Sequence, residues 1–319
     1  MTKEKTDVIV VGELNLDIIF NGISAFPELG KEVLANQMTV TLGSSSAIFA
    51  SNVSTLGAKT SFLGKLGKDR LGEFVIEALE SRNVDTHLIE ISDQLATGVS
   101  VVLSCGNERA NISHLGAMAY LRLEDIDVSA LSKARHLHLS NCFMQPMLKN
   151  EVGHLFRKAK EMGLTTSFDP QWDPYEKWDL DIKVVLPYVD LFLPNEAEAL
   201  HLTRTEQIGE AIATLADMGH AVVVKRGSRG SILRYGKRTV EQKPFLHPQV
   251  KDTIGAGDSF DAGFVYRYIN NAPLEKCQEF ANLIGAVNTT ASGGTAAFEN
   301  REAVIRISRK LFGCSIKLG

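Results

Sequence analysis

Asp252-Thr253-Ile254-Gly255-Ala256-Gly257-Asp258-Ser259-Phe260 runs directly into Phe264, Val265, Tyr268 and Ile269, which recur at the spacing of a helix with a buried face. Small residues at 255–257 let backbone N–H groups converge at the start of that helix, where unsatisfied donors and the helix dipole favour an anion such as phosphate. Asp258 then stands in the first turn. The positive helix end predicts an ionised carboxylate there, able to take a proton from an attacking hydroxyl. The residues alone also allow a blander reading, a Gly-rich connection in which Asp258 is a plain cap.

Outward from this segment, short β-branched runs alternate with helical patterns, the order expected of βαβ units around a mainly parallel sheet. Val8–Val11, Ser61–Leu63, His136–Leu139, Thr165–Phe168, Leu191–Leu193 and Ala221–Val224 are the expected strands. Leu71, Phe74, Val75, Ala78 and Leu79 follow helical spacing behind an N-cap at Asp69, and Cys277, Phe280, Leu283, Ile284 and Val287 repeat it. Two stretches, Asp17–Thr41 and Thr97–His114, alternate without intervening helices and predict one small antiparallel sheet attached to the core as a lid.

The 319 residues contain 38 Asp and Glu against 34 Lys and Arg, a net charge of −4, and 44% are hydrophobic. Such a chain buries a sizeable core, and the balance excludes disorder and a globally basic nucleic-acid binder. Cys105, Cys142, Cys277 and Cys314 form no CxxC pair and suit a reducing cytoplasm. The start, Met1 to Lys5, is basic, but Gly12 and Glu13 interrupt the following apolar run too early for a signal peptide or membrane span.

The nonapeptide at 252–260 completes the pattern DTxGAGDxF, and with it the chain resembles the ribokinase-like sugar kinase family, of the phosphofructokinase B type. Other features of that family follow in order: GELNLD at 12–17, LGAKTSFLGKLGKDRLGEF at 56–74, FDP at 168–170, NEAE at 195–198 and KRGSRG at 225–230. The resemblance implies a ribokinase-like three-layer α/β/α sandwich with a mainly parallel central sheet of about nine strands and a small β-sheet lid. It implies a single domain over 1–319, with the lid drawn from about 14–42 and 96–115. The implied activity is ATP-dependent phosphorylation of a hydroxyl group of a neutral monosaccharide, with Mg2+ as cofactor.

In that resemblance Asp258 is the catalytic base, and Gly255, Ala256 and Gly257 hold the developing charge. Asn195 and Glu198 follow a strand at its carboxyl end, and alone they equally read as a helix cap. The family uses the matching pair for the nucleotide and, through water, for Mg2+. Lys225, Gly227 and Gly230 read alone as a tight turn, while the family places the nucleotide there and Asn282 near the adenine. Asn15 and Asp17 present a carboxamide and a carboxylate suited to vicinal hydroxyls. The family uses these positions, with Gly43, Ser44 and Asp169, for the sugar. Asp252, Asn288, Ala291, Gly293 and Ala297 match a loop that in many members binds a monovalent cation, K+, largely through backbone oxygens, so side chains leave that cofactor open. Lid sheets pair between subunits in relatives, which leaves a homodimer through the lid open as well.

Two departures bear on the substrate. The usual GGxxxN reads Gly43-Ser44-Ser45-Ser46-Ala47-Ile48, which removes a glycine and an Asn that pack against the sugar. DPNxR reads Asp169-Pro170-Gln171-Trp172-Asp173, so a carboxylate stands where an acid-sugar kinase wants a cation, and neutral substrates are expected. The alternatives are a nucleoside kinase of the same fold, which needs an apolar pocket around Ile48, Phe143 and Met144, and a catalytically idle sugar-binding regulator. His136 and His138 share a strand face without carboxylate or Cys partners and read as packing.

Overall fold

The computed structural model describes residues 5–106 and 108–319, so of the basic start at 1–5 all but Lys5 lies outside the described residues. Nine strands form one sheet in the spatial order Arg238–Gln242, Ser231–Tyr235, Ala221–Lys225, Leu191–Phe192, Thr165–Asp169, Ala134–Ser140, Thr6–Val11, Thr60–Leu63 and Val84–Asp85. From Ala221–Lys225 to Val84–Asp85 every pair is parallel, while the Ser231 and Arg238 strands add an antiparallel edge. The six strands expected from composition are the six central ones. They are legible because both of their faces are covered, which selects near-continuous apolar runs.

Alternation along the strand Thr6–Val11 divides the core. Val8 and Val10 face a layer containing Phe49, Phe62, Phe264 and Ile284, whereas Ile9 and Val11 face Leu137, Leu139, Phe156 and Phe168. Each fully buried side chain of this kind contributes about 1.5–3 kcal/mol. His136 and His138 belong to the first face. They bond to the hydroxyls of Thr165 and Ser167, His138 stacks on Phe49 at 3.6 Å, and burial pushes both imidazoles well below their usual range, so they are neutral packing groups.

Three helices of that first layer frame the site. Ala256–Ile269 packs between Ser45–Leu56 and Leu274–Asn288. Gly263 permits the close approach, since a Cβ there would stand 2.9 Å from Ile284 Cβ. On Leu274–Asn288 all five expected residues, Cys277, Phe280, Leu283, Ile284 and Val287, are buried. Asp69 caps Arg70–Glu80 by accepting the N–H groups of Leu71 and Gly72 at 3.1 and 2.8 Å, although Leu71 itself points outward.

The smaller sheet has the order Gln37–Leu42, Asn15–Asn21, Gly98–Cys105, Glu108–His114. Its outer pairs are antiparallel, but Asn15–Asn21 runs parallel to Gly98–Cys105, so the sheet is mixed and not wholly antiparallel as expected. Period-two alternation reports which residues share a face and is blind to strand direction. Among the described residues, no helix is long and apolar enough to cross a membrane.

Candidate active site

The carboxyl ends of the central strands all deliver polar residues to one side of the sheet. Glu13 follows Thr6–Val11, Ser140 ends Ala134–Ser140, Asp169 ends Thr165–Asp169, Asn195 follows Leu191–Phe192, and Lys225 ends Ala221–Lys225. This is where open parallel sheets place ligands.

Over these ends lies the turn at 252–258. Gly255 is left-handed at φ 72, and a Cβ there would meet Gly294 Cα at 2.5 Å, so glycine is required both by conformation and by space. It also has no side chain to cap the helix Ala256–Ile269; the Ala256 N–H turns back to the Thr253 carbonyl at 3.2 Å, and the Gly257 and Asp258 N–H groups receive no side-chain cap. The turn is braced from behind. Asn288 Nδ2 donates to the Ile254 carbonyl at 2.6 Å, Ser259 Oγ donates to Asn288 Oδ1 at 3.0 Å, and Asn52 Nδ2 reaches Ser259 Oγ and the Gly294 carbonyl, both at 2.9 Å.

Asp258 stands in that first turn, buried, and Gln171 Nε2 donates to its Oδ1 at 2.9 Å. The expectation of an ionised carboxylate is corrected here. Burial, and then the charges of Asp169 and Glu13, push Asp258 up to about 8 against the opposing pull of Lys225. Helix N-terminal dipoles are weak beside the cost of burying a charge among like charges.

Lys225 lies behind the turn, its Nζ 2.7 Å from Asp169 Oδ2 and 3.0 Å from Asp261 Oδ2. Burial alone would lower its pKa, but Asp169, Asp261 and Glu198 reverse this and hold the ammonium charged. Burial and Asp169 drive the Asp261 carboxyl well up. Asp169 was expected to contact the sugar. Its carboxylate is instead occupied by Lys225 and by Gln171, whose Nε2 donates at 2.6 Å and whose backbone N–H donates at 3.3 Å.

Asn195 and Glu198 satisfy both readings given above. They form a capping box for Glu196–Thr203, with Asn195 N–H on Glu198 Oε2 at 2.8 Å and Glu198 N–H on Asn195 Oδ1 at 2.9 Å. The buried carboxyl also faces the site, and burial, then Asp169, raise it to about 8. A cavity of about 530 Å³ joins Asn195, Glu198, Lys225, Gly227, Gly230, Asn282 and the 255–258 turn. Asn282 is fixed by donating to Ser231 Oγ at 2.7 Å, and Gly230 is held at φ 83. A second cavity of about 500 Å³, against Cys314–Ile316, contains none of these residues.

At the start of the strand Asn15–Asn21, Asn15 Nδ2 donates to Asp17 Oδ1 at 2.9 Å, and a Cβ on Gly43 would lie 2.3 Å from that same oxygen. Gly43 is therefore the floor beneath this pair. Burial raises Asp17 to about 6. Ser44, in left-handed backbone at φ 67, caps Ser45–Leu56 by accepting the Ala47 N–H at 2.8 Å and donates to the Glu13 carbonyl at 2.6 Å, so its hydroxyl serves the helix. Ser45, next along, hydrogen-bonds Asp258. Ser45 thus ties Asp258, on the wall of the large cavity, to the segment that sets Gly43 beneath the Asn15/Asp17 pair.

Several expectations about specificity change. Asp173 accepts the N–H groups of Tyr175, Lys177 and Trp178 at 2.9, 2.9 and 2.8 Å, so it caps its own loop instead of repelling a substrate. Ile48 packs on Gly294 and Phe143 packs edge-on to Trp178 at 5.5 Å, so both are spent on internal packing and offer no base-binding wall.

Sequence reasoning did not single out Gln171, Asp261 or Glu13. Gln171 reaches two carboxylates through a left-handed backbone at φ 60, which composition does not announce. Glu13 is buried against Ser46 Oγ at 2.5 Å and Asn141 Nδ2 at 3.2 Å, and burial raises it to about 7; a Glu directly after an apolar strand was the available signal.

Of the loop matched to a monovalent-cation site, Asp252 accepts the Gly293 N–H at 3.0 Å, Asn288 ties in through Ile254, the Ala291 N–H reaches the Asn288 carbonyl at 3.3 Å, and Ala297 is buried in the core. Both oxygens of the Asp252 carboxylate are taken, Oδ1 by the Ile254 N–H at 3.0 Å and by Arg109 at 2.7 Å. The one charged side chain of that loop is therefore already neutralised by Arg109. For Mg2+ the candidates are Glu198 and Asn195, although in the capping box Glu198 Oε2 already accepts the Asn195 N–H at 2.8 Å and Oε1 accepts from Asn195 Nδ2 at 2.5 Å. A carboxyl and a carboxamide, Glu198 and Asn195, face a cavity already rich in carboxyl groups, oxygen chemistry that suits a hard cation. Among the described residues no three His, Cys, Asp or Glu side chains converge as a metal cage, so such an ion would depend on phosphate and water for its remaining ligands.

Comparison with known proteins places this site in a class. Residues 5–301 match the pfkB family carbohydrate kinase domain, and the chain belongs to that family. It is a carbohydrate kinase with the ribokinase-like fold. An uncharacterized sugar kinase of Archaeoglobus fulgidus is 31% identical over 73% of this chain and 92% of that protein. An ATP-dependent ribose-1-phosphate kinase of Halopiger xanaduensis is 28% identical over 91% and 94%. The structure of Arabidopsis thaliana ribokinase complexed with ribose and ATP superposes with a TM-score of 0.84, at 26% identity, over 95% of this chain and 98% of that one.

Proposed function

We propose that this chain transfers the terminal phosphoryl group of ATP to a hydroxyl of a neutral monosaccharide, working as one catalytic unit with the smaller sheet as its lid. The observation that carries the reading is the position of Asp258, on the wall of the large cavity and tied through Ser45 to the segment that sets Gly43 beneath Asn15 and Asp17. ATP in the cavity would lie along Lys225–Gly230 and Asn282, with its phosphates toward the uncapped N–H groups of 255–258. Asn15 and Asp17 would hold vicinal hydroxyls and present one of them to Asp258.

In its ionised form, which the shift to about 8 makes a stronger base, Asp258 accepts the proton of that hydroxyl as it attacks, and the backbone of Gly255, Ala256 and Gly257 stabilises the charge on the transferring group. Positioning and electrostatics supply most of the rate. Mg2+, when bound beside Glu198 and Asn195, would neutralise phosphate charge. Lys225, held cationic, balances Asp169 and keeps the base from meeting a wall of uncompensated carboxylates. This scheme has no need of K+, because Asp252 already has a cation in Arg109.

The exposed apolar residues Met38, Val40 and Ile112 on the smaller sheet support a homodimer through the lid, which sedimentation would test. The four unpaired cysteines support a cytoplasmic location. A coupled ADP-release screen of neutral sugars, sugar acids, sugar phosphates and nucleosides tests the reading. Turnover confined to nucleosides, or none at all, would overturn it.

A further inference from the structure

The turn that opens the site is tied to the lid by one ion pair. Arg109, on the outer lid strand Glu108–His114, places Nη2 2.7 Å from Oδ1 of Asp252. The same carboxylate organises the turn from inside, accepting the N–H groups of Ile254 and Gly293, both at 3.0 Å. Asp252 thus joins three separate segments: the lid, the strand-to-helix turn and the loop after Leu274–Asn288. Its side chain is nearly buried, at 10% exposure, whereas that of Arg109 is 39% exposed. A carboxylate so placed needs a counter-charge, because an unpaired charge at low exposure is costly and would loosen the contacts it makes. Burial alone would raise Asp252, but the two backbone N–H groups and Arg109 together hold it below the ordinary carboxylate range.

Among the positions matched to a monovalent-cation loop, Asp252 is the one that carries a charge, and that charge is answered by a side chain of this chain. We infer that Arg109 is a positioning residue for phosphoryl transfer: its guanidinium stands in place of a monovalent cation at Asp252 and sets the 252–257 turn from the lid. This rests on the reading that the 255–258 turn receives the phosphoryl group. Because Arg109 and Asp17 lie on the same small sheet, closing the lid over a sugar and setting the anion-binding turn become one event. A soluble ion supplies charge at any lid position, whereas Arg109 supplies it when the lid is seated.

The test compares wild type, Arg109→Ala and Arg109→Lys in K+, Na+ and tetramethylammonium salts at constant ionic strength. Wild-type turnover is expected to be the same in all three. Arg109→Ala should lose about tenfold in kcat with little change in ATP KM, equivalent to about 1.4 kcal/mol of transition-state stabilisation, and should regain part of it with K+ or added guanidinium. Arg109→Lys, which keeps the charge, should stay close to wild type. Amide hydrogen exchange in the substrate-free proteins supplies a readout that needs no turnover. Exchange at 252–257 and at Gly293 should be faster in Arg109→Ala, with the rest of the main sheet unchanged. If no sugar is phosphorylated by the wild type, the proposed function fails and the exchange comparison still decides the role of Arg109. A wild type that depends on K+, or an Arg109→Ala protein with wild-type kcat and wild-type exchange at 252–257, would overturn the inference.

Discussion

Gln171 Nε2 lies 2.9 Å from Asp258 Oδ1 and 2.6 Å from Asp169 Oδ2, so a single amide joins the carboxyl that lines the large cavity to the carboxylate that holds Lys225. The bridge fixes the direction of Asp258 without supplying it a positive charge. Burial and Asp169 can then keep that carboxyl at about 8, in the range where a group exchanges protons near neutrality.

Asp258→Asn keeps the shape of the side chain and its acceptor toward Gln171 but removes the base. Turnover should fall roughly 10²- to 10⁴-fold while nucleotide affinity and melting temperature hold. A variant with wild-type kcat in the coupled assay would remove Asp258 from the proposed role.

Glu198→Gln retains the N3 side-chain contact of the capping box, so the helix Glu196–Thr203 should remain stable. What it loses is the capacity to ionise toward a cation in the cavity. The Mg2+ concentration for half-maximal rate should therefore rise, with sugar KM nearly unmoved. Titrating Mg2+ at saturating sugar checks this, and an unchanged midpoint counts against the assignment.

Stability of the ligand-free protein should fall as pH rises. Glu198 and Asp258 are raised to about 8 and Glu13 to about 7, each chiefly by burial. Between the ordinary carboxyl range and those values the folded chain keeps protons that the unfolded chain has released. Their contribution is thus full below about pH 4 and lost through about pH 8. Urea midpoints across that window should decline, less steeply in Glu198→Gln, whose side chain does not titrate. A midpoint rising toward pH 8, or equal slopes, would contradict this.

Lys225→Met removes the buried cation and leaves Asp169 and Asp261 facing each other. Breaking a buried pair from one side costs about 3–5 kcal/mol. Urea denaturation should show a loss of that order, and a loss below about 1 kcal/mol would mean that the pair is far weaker than its burial implies.

Substrate preference should follow the Asp17 carboxylate, which at about 6 is ionised at neutral pH, now that Asp173 is spent on its own loop. A neutral pentose or hexose should show a kcat/KM well above that of a sugar acid or ribose 1-phosphate, and Asp17→Ala should raise sugar KM strongly. Side-by-side assays decide it. A better rate on the charged compounds would require a cation at the sugar site, with Arg109 or Lys225 as the candidates.

The local order of this protein is written in its sequence. Six β-branched runs give the six central strands, because strands buried on both faces tolerate little else. The segment 252–260 gives the uncapped helix start, because φ 72 at Gly255 and the closeness of Gly294 admit only glycine there. Asp69 and Asn195 are equally local, each capping a helix within three residues. Tertiary structure decided what depends on separation in the chain. Asp258 becomes a carboxyl of raised pKa because the fold buries it, and then because it sets Asp169 and Glu13 near it, and no helix dipole outweighs that. Asp169 pairs with Lys225 across 56 residues, Asp173 turns to its own loop, and Arg109 meets Asp252 across 143 residues. The parallel pairing inside the small sheet belongs to the same group. A carboxylate takes whichever donor the fold brings within about 3 Å, and a local pattern carries no record of that partner.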